Sequence, residues 1–130
     1  MNTYHEVKYL HNSRGEWQWK HTLAYLQPDA KKLLKQYKLS LDKLETPKIS
    51  FWYGLGLCHE FDQFNRKTGR ILAEAKLDKQ EMNFWLTDAG DYYDIRLNNI
   101  YKRRFDVNIT LKLYKDSGKI RVVKSEVYEI

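Results

Sequence analysis

At 130 residues the chain is the size of one domain that can bury a core without disulfide or metal staples. Its 42% hydrophobic and 31% charged content excludes a disordered polypeptide, and no stretch nears the roughly 20 apolar residues that a membrane-spanning helix needs. A net charge of +6 and a pI near 9.3 favour an anionic partner: nucleic acid, an acidic protein face or anionic lipid.

Cys58 is the single cysteine, so no internal disulfide can form and a reducing compartment is the natural home. MNTYHEVKYL, at the N-terminus, lacks the unbroken apolar stretch of a signal peptide. The expectation is a soluble, cytoplasmic protein.

In chain order, the first element reads as a hairpin. His5, Val7, Tyr9 and His11 recur at every second residue, as do Trp17, Trp19, His21, Leu23 and Tyr25, the period of a half-buried strand. Between them, Ser13-Arg14-Gly15 fits a three-residue loop with glycine in the left-handed third position, which pairs Tyr9 with Trp19 and Val7 with His21. Pro28 and Asp29 then open a helix with one apolar stripe, Ala30, Leu33, Leu34 and Tyr37, and lysines at 31, 32, 35 and 38 around it. The pattern fades from Ser40 to Pro47.

ISFWYGLGL, Ile49 to Leu57, is apolar on both faces and predicts a central strand, with Gly54 and Gly56 marking a bend or a close approach. A second helix begins near Asp62, with Phe61, Phe64, Thr68, Ile71, Leu72 and Ala75 as its inner stripe and Gly69 allowing close packing. Asn83 to Thr87 is a short strand. Asp91 to Asn99 fits a strand through Tyr93, Ile95 and Leu97 or a helix through Tyr93, Leu97, Ile100 and Tyr101, and the strand is preferred. At the C-terminus, Val107 to Leu113 and Ile120 to Tyr128 flank Asp116-Ser117-Gly118, a hairpin that pairs Leu111 with Val123 and Val107 with Val127. These elements predict a single α+β domain over residues 1–130, a mainly antiparallel sheet with N- and C-terminal hairpins and two or three packed helices.

Two cationic clusters are candidate binding surfaces. The first is Asn65, Arg66, Lys67 and Arg70 near the start of the second helix, where free N–H groups also attract anions. Against a phosphate cradle, no glycine-rich loop precedes that helix, and Asp62 is placed to cap it and to hold Arg66. The second is Lys102, Arg103 and Arg104 between Tyr101 and Phe105, a mix of cations and rings that can hold phosphates and stack on bases. For both, the plainer reading is a solvated charged face over core aromatics.

Catalytic and metal chemistry have thin support. His59, Glu60 and Asp62 bunch beside Cys58, but neither C-x₂-C nor H-E-x-x-H is present, and no nucleophile turn appears. His11 and His21 can approach across the first hairpin. Cys58 and His59, adjacent on a strand, point to opposite faces and do not form a thiol–imidazole pair. No cofactor or metal is expected, and the chain reads as a non-enzyme.

The segment from Cys58 to Leu77, CHEFDQFNRKTGRILAEAKL, resembles a run in small phage-encoded accessory proteins of poorly known function. Its matching positions are Cys58, Asp62, Phe64, Arg66, Lys67, Gly69, Arg70, Ala73 and Leu77, within about twenty of the 130 residues. Where that pattern often has Pro or Lys before the Asp, this chain has Glu60 and Phe61. The resemblance implies phage origin, hence the cytoplasm of an infected bacterial host. It also implies a protein that binds a host protein or nucleoprotein complex, for example as an anti-defence (anti-CRISPR) inhibitor. The alternative is a direct nucleic-acid-binding module using the same cations. A small metal- or His-dependent enzyme around His59 stands third.

Overall fold

The computed structural model describes residues 6–13, 18–59, 62–99 and 104–129. Its strands are β1 (Val7–Asn12), β2 (His21–Leu26), β3 (Lys48–Leu57), β4 (Asp78–Asp88), β5 (Tyr92–Asn99), β6 (Phe105–Tyr114) and β7 (Ile120–Glu129). Helix α1 (Ala30–Asp42) joins β2 to β3, and α2 (Arg66–Ala75) joins β3 to β4. Each strand pairs antiparallel with the next, so spatial order equals chain order.

Among the described residues, strands hold 54% and helices 20%, and the seven strands curl into a nearly closed barrel. The expected α+β domain is therefore corrected to a mainly-β meander. Strand β4 is the main reason. Its first half, Asp78-Lys79-Gln80-Glu81, has no apolar alternation to read, yet it pairs with Tyr53 back to Ser50. The preferred strand at Asp91–Asn99 is present as β5.

Inward positions make one continuous core. Leu23 and Tyr25 of β2 pair with Leu55 and Tyr53, and Phe84 of β4 pairs with Leu97, which pairs with Ile109. Phe51, Phe84, Leu97 and Ile109 are at most 1% exposed, so the interior is filled by side chains, as in other small barrels. Asp29 caps α1 by accepting from the Lys31 and Lys32 N–H groups. Leu33 of α1 enters this core, and its Tyr37 lies against Phe84. The expected stripe is narrower than read, since Leu34 stays exposed.

Helix α2 lies on the outside of the wall through a seam of small residues. A Cβ on Gly54 would meet the Ala73 carbonyl oxygen at 2.2 Å, and one on Gly69 would meet Thr22 Oγ1 at 2.2 Å. Side chains there would hold the helix off the sheet. The buried face of α2 is thus Gly69 and Ala73, while Ile71 and Leu72, expected inward, are 60% and 42% exposed. Likewise, β3 is closed on both faces only beneath α2, and Trp52 outside it is 43% exposed.

The hairpin registers needed correction. Tyr9 pairs with Ala24 and Val7 with Leu26, an odd shift that turns Leu10 inward and Tyr9 and His11 outward. Trp19 is not in the β2 ladder: its N–H donates to the Val127 carbonyl at 2.8 Å, and its ring meets Phe105 edge-on at 5.6 Å. Arg14 and Gly15 of the expected turn, and Trp17 of the expected second strand, lie outside the described residues. In the C-terminal hairpin Val107 pairs with Val127, but an irregularity at Thr110/Leu111 pairs Leu111 with Val122 and leaves Val123 exposed.

Candidate binding surfaces

The first cationic cluster sits on the outer face of α2. Asn65, not Asp62, caps the helix, its side-chain oxygen accepting from the Thr68 N–H at 3.0 Å. Asp62 precedes the helix, and its carbonyl accepts a weak bond from the Cys58 thiol at 3.5 Å. The expected Asp62–Arg66 pair is therefore absent from the helix. Arg66, Lys67 and Arg70 are exposed and make no ion pair with any described residue. Beside them stands Ile71, apolar and open to solvent.

Strand β1 extends this surface. Burial first, then the charges of Arg66 and Arg70, push the His11 pKa below its ordinary value. For Tyr9, burial and then the hydrogen bond and charge of Glu74 raise the pKa, with Arg70 acting in the opposite direction. Helix α2 contacts β1 directly, which sets these side chains against its outward face. His11 Nδ1 lies 2.8 Å from Thr22 Oγ1, and its ring meets Phe64 edge-on at 6.0 Å.

Of the second cluster, only Arg104 lies within the described residues. Arg104 is tied to Glu129 at 3.2 Å and lies over the Phe105 ring at 5.3 Å, so its charge already has partners within the chain. Lys102 and Arg103 lie outside the described residues.

The histidine expectations part company. His11 faces outward and His21 inward, so the two do not meet across the hairpin. His59 is exposed and its ring approaches Trp19 edge-on at 6.4 Å. Among the described residues no group of three His, Cys, Asp or Glu is placed to hold a metal ion.

Sequence reasoning missed a buried pair inside the barrel. His21 Nδ1–H donates to the Trp19 carbonyl at 2.8 Å, which leaves Nε2 to accept from the Ser125 hydroxyl at 2.7 Å. That polarity is the one a nucleophile and its base would need. With His21 at 0% and Ser125 at 2% exposure, the pair has no access for a substrate and serves as a clasp. It joins β2 to β7 across the seam where β1 and β7 meet, reinforced by Asn12 Nδ2–H donating to the Ser125 carbonyl at 3.0 Å. The only hint in the sequence was a polar residue, Ser125, at an inward position of β7.

Two exposed tryptophans also escaped notice as surface groups. Trp52 pairs across the ladder with Lys79, and Trp85 with Arg96, on the outer wall of β3 to β5. Among the described residues, no helix is long and apolar enough to cross a membrane. Comparison of the chain with protein-family models, with characterised proteins and with solved structures returned no match.

Proposed function

We propose that this protein is a non-enzymatic binding protein that docks the outer face of α2 onto an acidic surface of a partner protein. The observation that supports it is a mixed patch, with Arg66, Lys67 and Arg70, which make no ion pair among the described residues, around an Ile71 that is 60% exposed. Cations alone would serve a phosphate backbone, whereas an apolar side chain in their midst gains only by being covered. Glycines at 54, 56 and 69 seat the opposite side of the helix on the barrel, so the patch is presented rigidly. In the phage accessory reading, the partner is a host protein or nucleoprotein, and the action is anti-defence inhibition of an effector such as a CRISPR complex.

A second reading, direct nucleic-acid binding, draws on Trp52 beside Lys79 and Trp85 beside Arg96, rings that could stack bases next to cations. Salt and nuclease separate the two. Phosphate binding weakens steeply between about 50 and 200 mM salt. The tagged chain, incubated with nuclease-treated host lysate at moderate salt, is expected to retain a stoichiometric protein, and Ile71→Asp is expected to release it. Proteins lost on nuclease treatment, with nucleic acid recovered in its absence, would instead support the second reading.

A further inference from the structure

Helix α1 ends on a residue that its backbone does not favour. Lys43 is the C-cap, and Leu44 follows with φ 56°, the one non-glycine residue with positive φ among those described. The Leu44 N–H donates to the Leu41 carbonyl at 3.1 Å and the Glu45 N–H to the Ser40 carbonyl at 2.9 Å. These two bonds make a Schellman turn, whose left-handed position is usually glycine because a Cβ crowds the backbone there. The side chain of Leu44 is also 95% exposed, so packing against the fold does not offset that crowding. Conformation and solvation both oppose a leucine at this place.

Leu44 has company of the same kind. Leu39 and Leu41, on the last turn of α1, are exposed as well. Lys31, Lys32, Lys35, Lys38 and Lys43 are all exposed and make no ion pair among the described residues. From Ala30 to Glu45 the lysines exceed the acids, Asp42 and Glu45, by three, half of the chain's net charge of +6. Leu33, Tyr37 and Ser40 take the inward side of the helix, which leaves leucines and lysines together on the outside. That composition is poor for a protein contact, where Trp, Tyr and Arg dominate the binding energy and Lys is depleted. The segment from Ala30 to Glu45 has no arginine, and its one aromatic, Tyr37, lies against Phe84. A second copy would set lysines against lysines. An anionic bilayer asks for no matching shape: aliphatic side chains enter the interface while lysine stems run out to the headgroups.

We propose that the C-terminal end of α1 binds an anionic membrane surface from the water side. Leu39, Leu41 and Leu44 enter the interface, and Lys35, Lys38 and Lys43 meet the headgroup phosphates. This contact uses no side chain of α2, so it and the proposed protein contact can each fail alone.

The full chain is sedimented at near-physiological salt with vesicles of phosphatidylcholine containing about 30% phosphatidylglycerol, and with vesicles of phosphatidylcholine alone. Binding to the anionic vesicles is expected to be stronger by about tenfold or more. Leu44→Gly is expected to weaken that binding by about tenfold and at the same time to raise the melting temperature, because glycine suits the left-handed turn. A residue kept only for the fold would not move these two readouts in opposite directions. Lys35→Glu combined with Lys38→Glu is expected to weaken binding by about tenfold or more, and Arg66→Glu combined with Arg70→Glu by less than about threefold. All four side chains are exposed, so these variants test charge rather than folding. Absence of vesicle binding, equal binding to both vesicles, full binding or a lowered melting temperature in Leu44→Gly, or equal losses in the α1 and α2 charge variants would each overturn the proposal.

Discussion

The two sides of the barrel wall are built on different rules. Under α2, strand β2 is closed on both faces: Thr22 and Ala24 are 0% exposed on the outside, while Leu23 and Tyr25 fill the inside. On the uncovered side, β6 buries only alternate residues, Val107, Ile109, Leu111 and Leu113. The lesson is that a helix can lie on a strand only where side chains are given up. Gly54, Gly56 and Gly69 supply that absence, and the cations of α2 are left to solvent. Where no helix lies, the wall carries polar partners instead, with Asn98 Nδ2 donating to Asp106 at 2.8 Å and Asn108 at 2.7 Å.

The sharpest way to break this contrast is to put a side chain into the α2 seam. Gly54→Ala forces a Cβ against the Ala73 carbonyl and the Leu77 N–H, both backbone, so nothing flexible can yield. The expected loss is about 3 kcal/mol, the upper part of the range for overpacking, measured by urea unfolding. Val123→Ala on the open wall, at 39% exposure, should change stability by less than about 0.5 kcal/mol. Equal losses at the two positions would dissolve the distinction.

A second effect concerns the clasp at the seam. Ser125→Ala strands the His21 Nε2 in the core and should lose about 1–3 kcal/mol. Burial, opposed by the Trp19 carbonyl, holds the His21 pKa below its ordinary 6.5. The unfolded chain therefore takes up the proton first on acidification. Stability from this group is complete above about pH 6.5 and is lost as pH falls from there toward the depressed folded value. The melting temperature should drop from pH 7.5 to pH 5, and the drop should shrink in His21→Gln. An unchanged pH profile in that variant would remove His21 from the account.

A smaller effect belongs to the start of α2. Asn65→Ala removes the cap and should lose about 1 kcal/mol, whereas Asp62→Ala, ahead of the helix, should lose less than about 0.5 kcal/mol. The reverse order would restore Asp62 as the cap.

Much of the open wall was legible in the sequence, because β6 and β7 each bury a single face and show it as period-two alternation. The Asp116-Ser117-Gly118 turn was legible too, with Gly118 in the left-handed region at φ 69°. What failed did so for physical reasons. The β4 start is charged, the β6–β7 irregularity leaves no local mark, and Trp19 leaves its ladder for a hydrogen bond to distant Val127. At α2, Ile71 and Leu72 looked inward because apolar residues define a stripe, but the seam is made of what is missing from Gly69 and Ala73. Arg66, Lys67 and Arg70 were visible as a cluster by their spacing.

The central claim is that the α2 patch, and not the Arg104 region, carries the contact with a macromolecular partner. The most direct test pairs Arg66→Glu/Arg70→Glu with Arg104→Glu and measures capture of the partner from nuclease-treated lysate at about 150 mM salt, near-physiological screening. All these side chains are exposed, so each variant should keep the stability of the parent within about 0.5 kcal/mol. The account predicts that the double variant loses the partner while Arg104→Glu retains it. Retention by the double variant, with loss on Arg104→Glu, would contradict it.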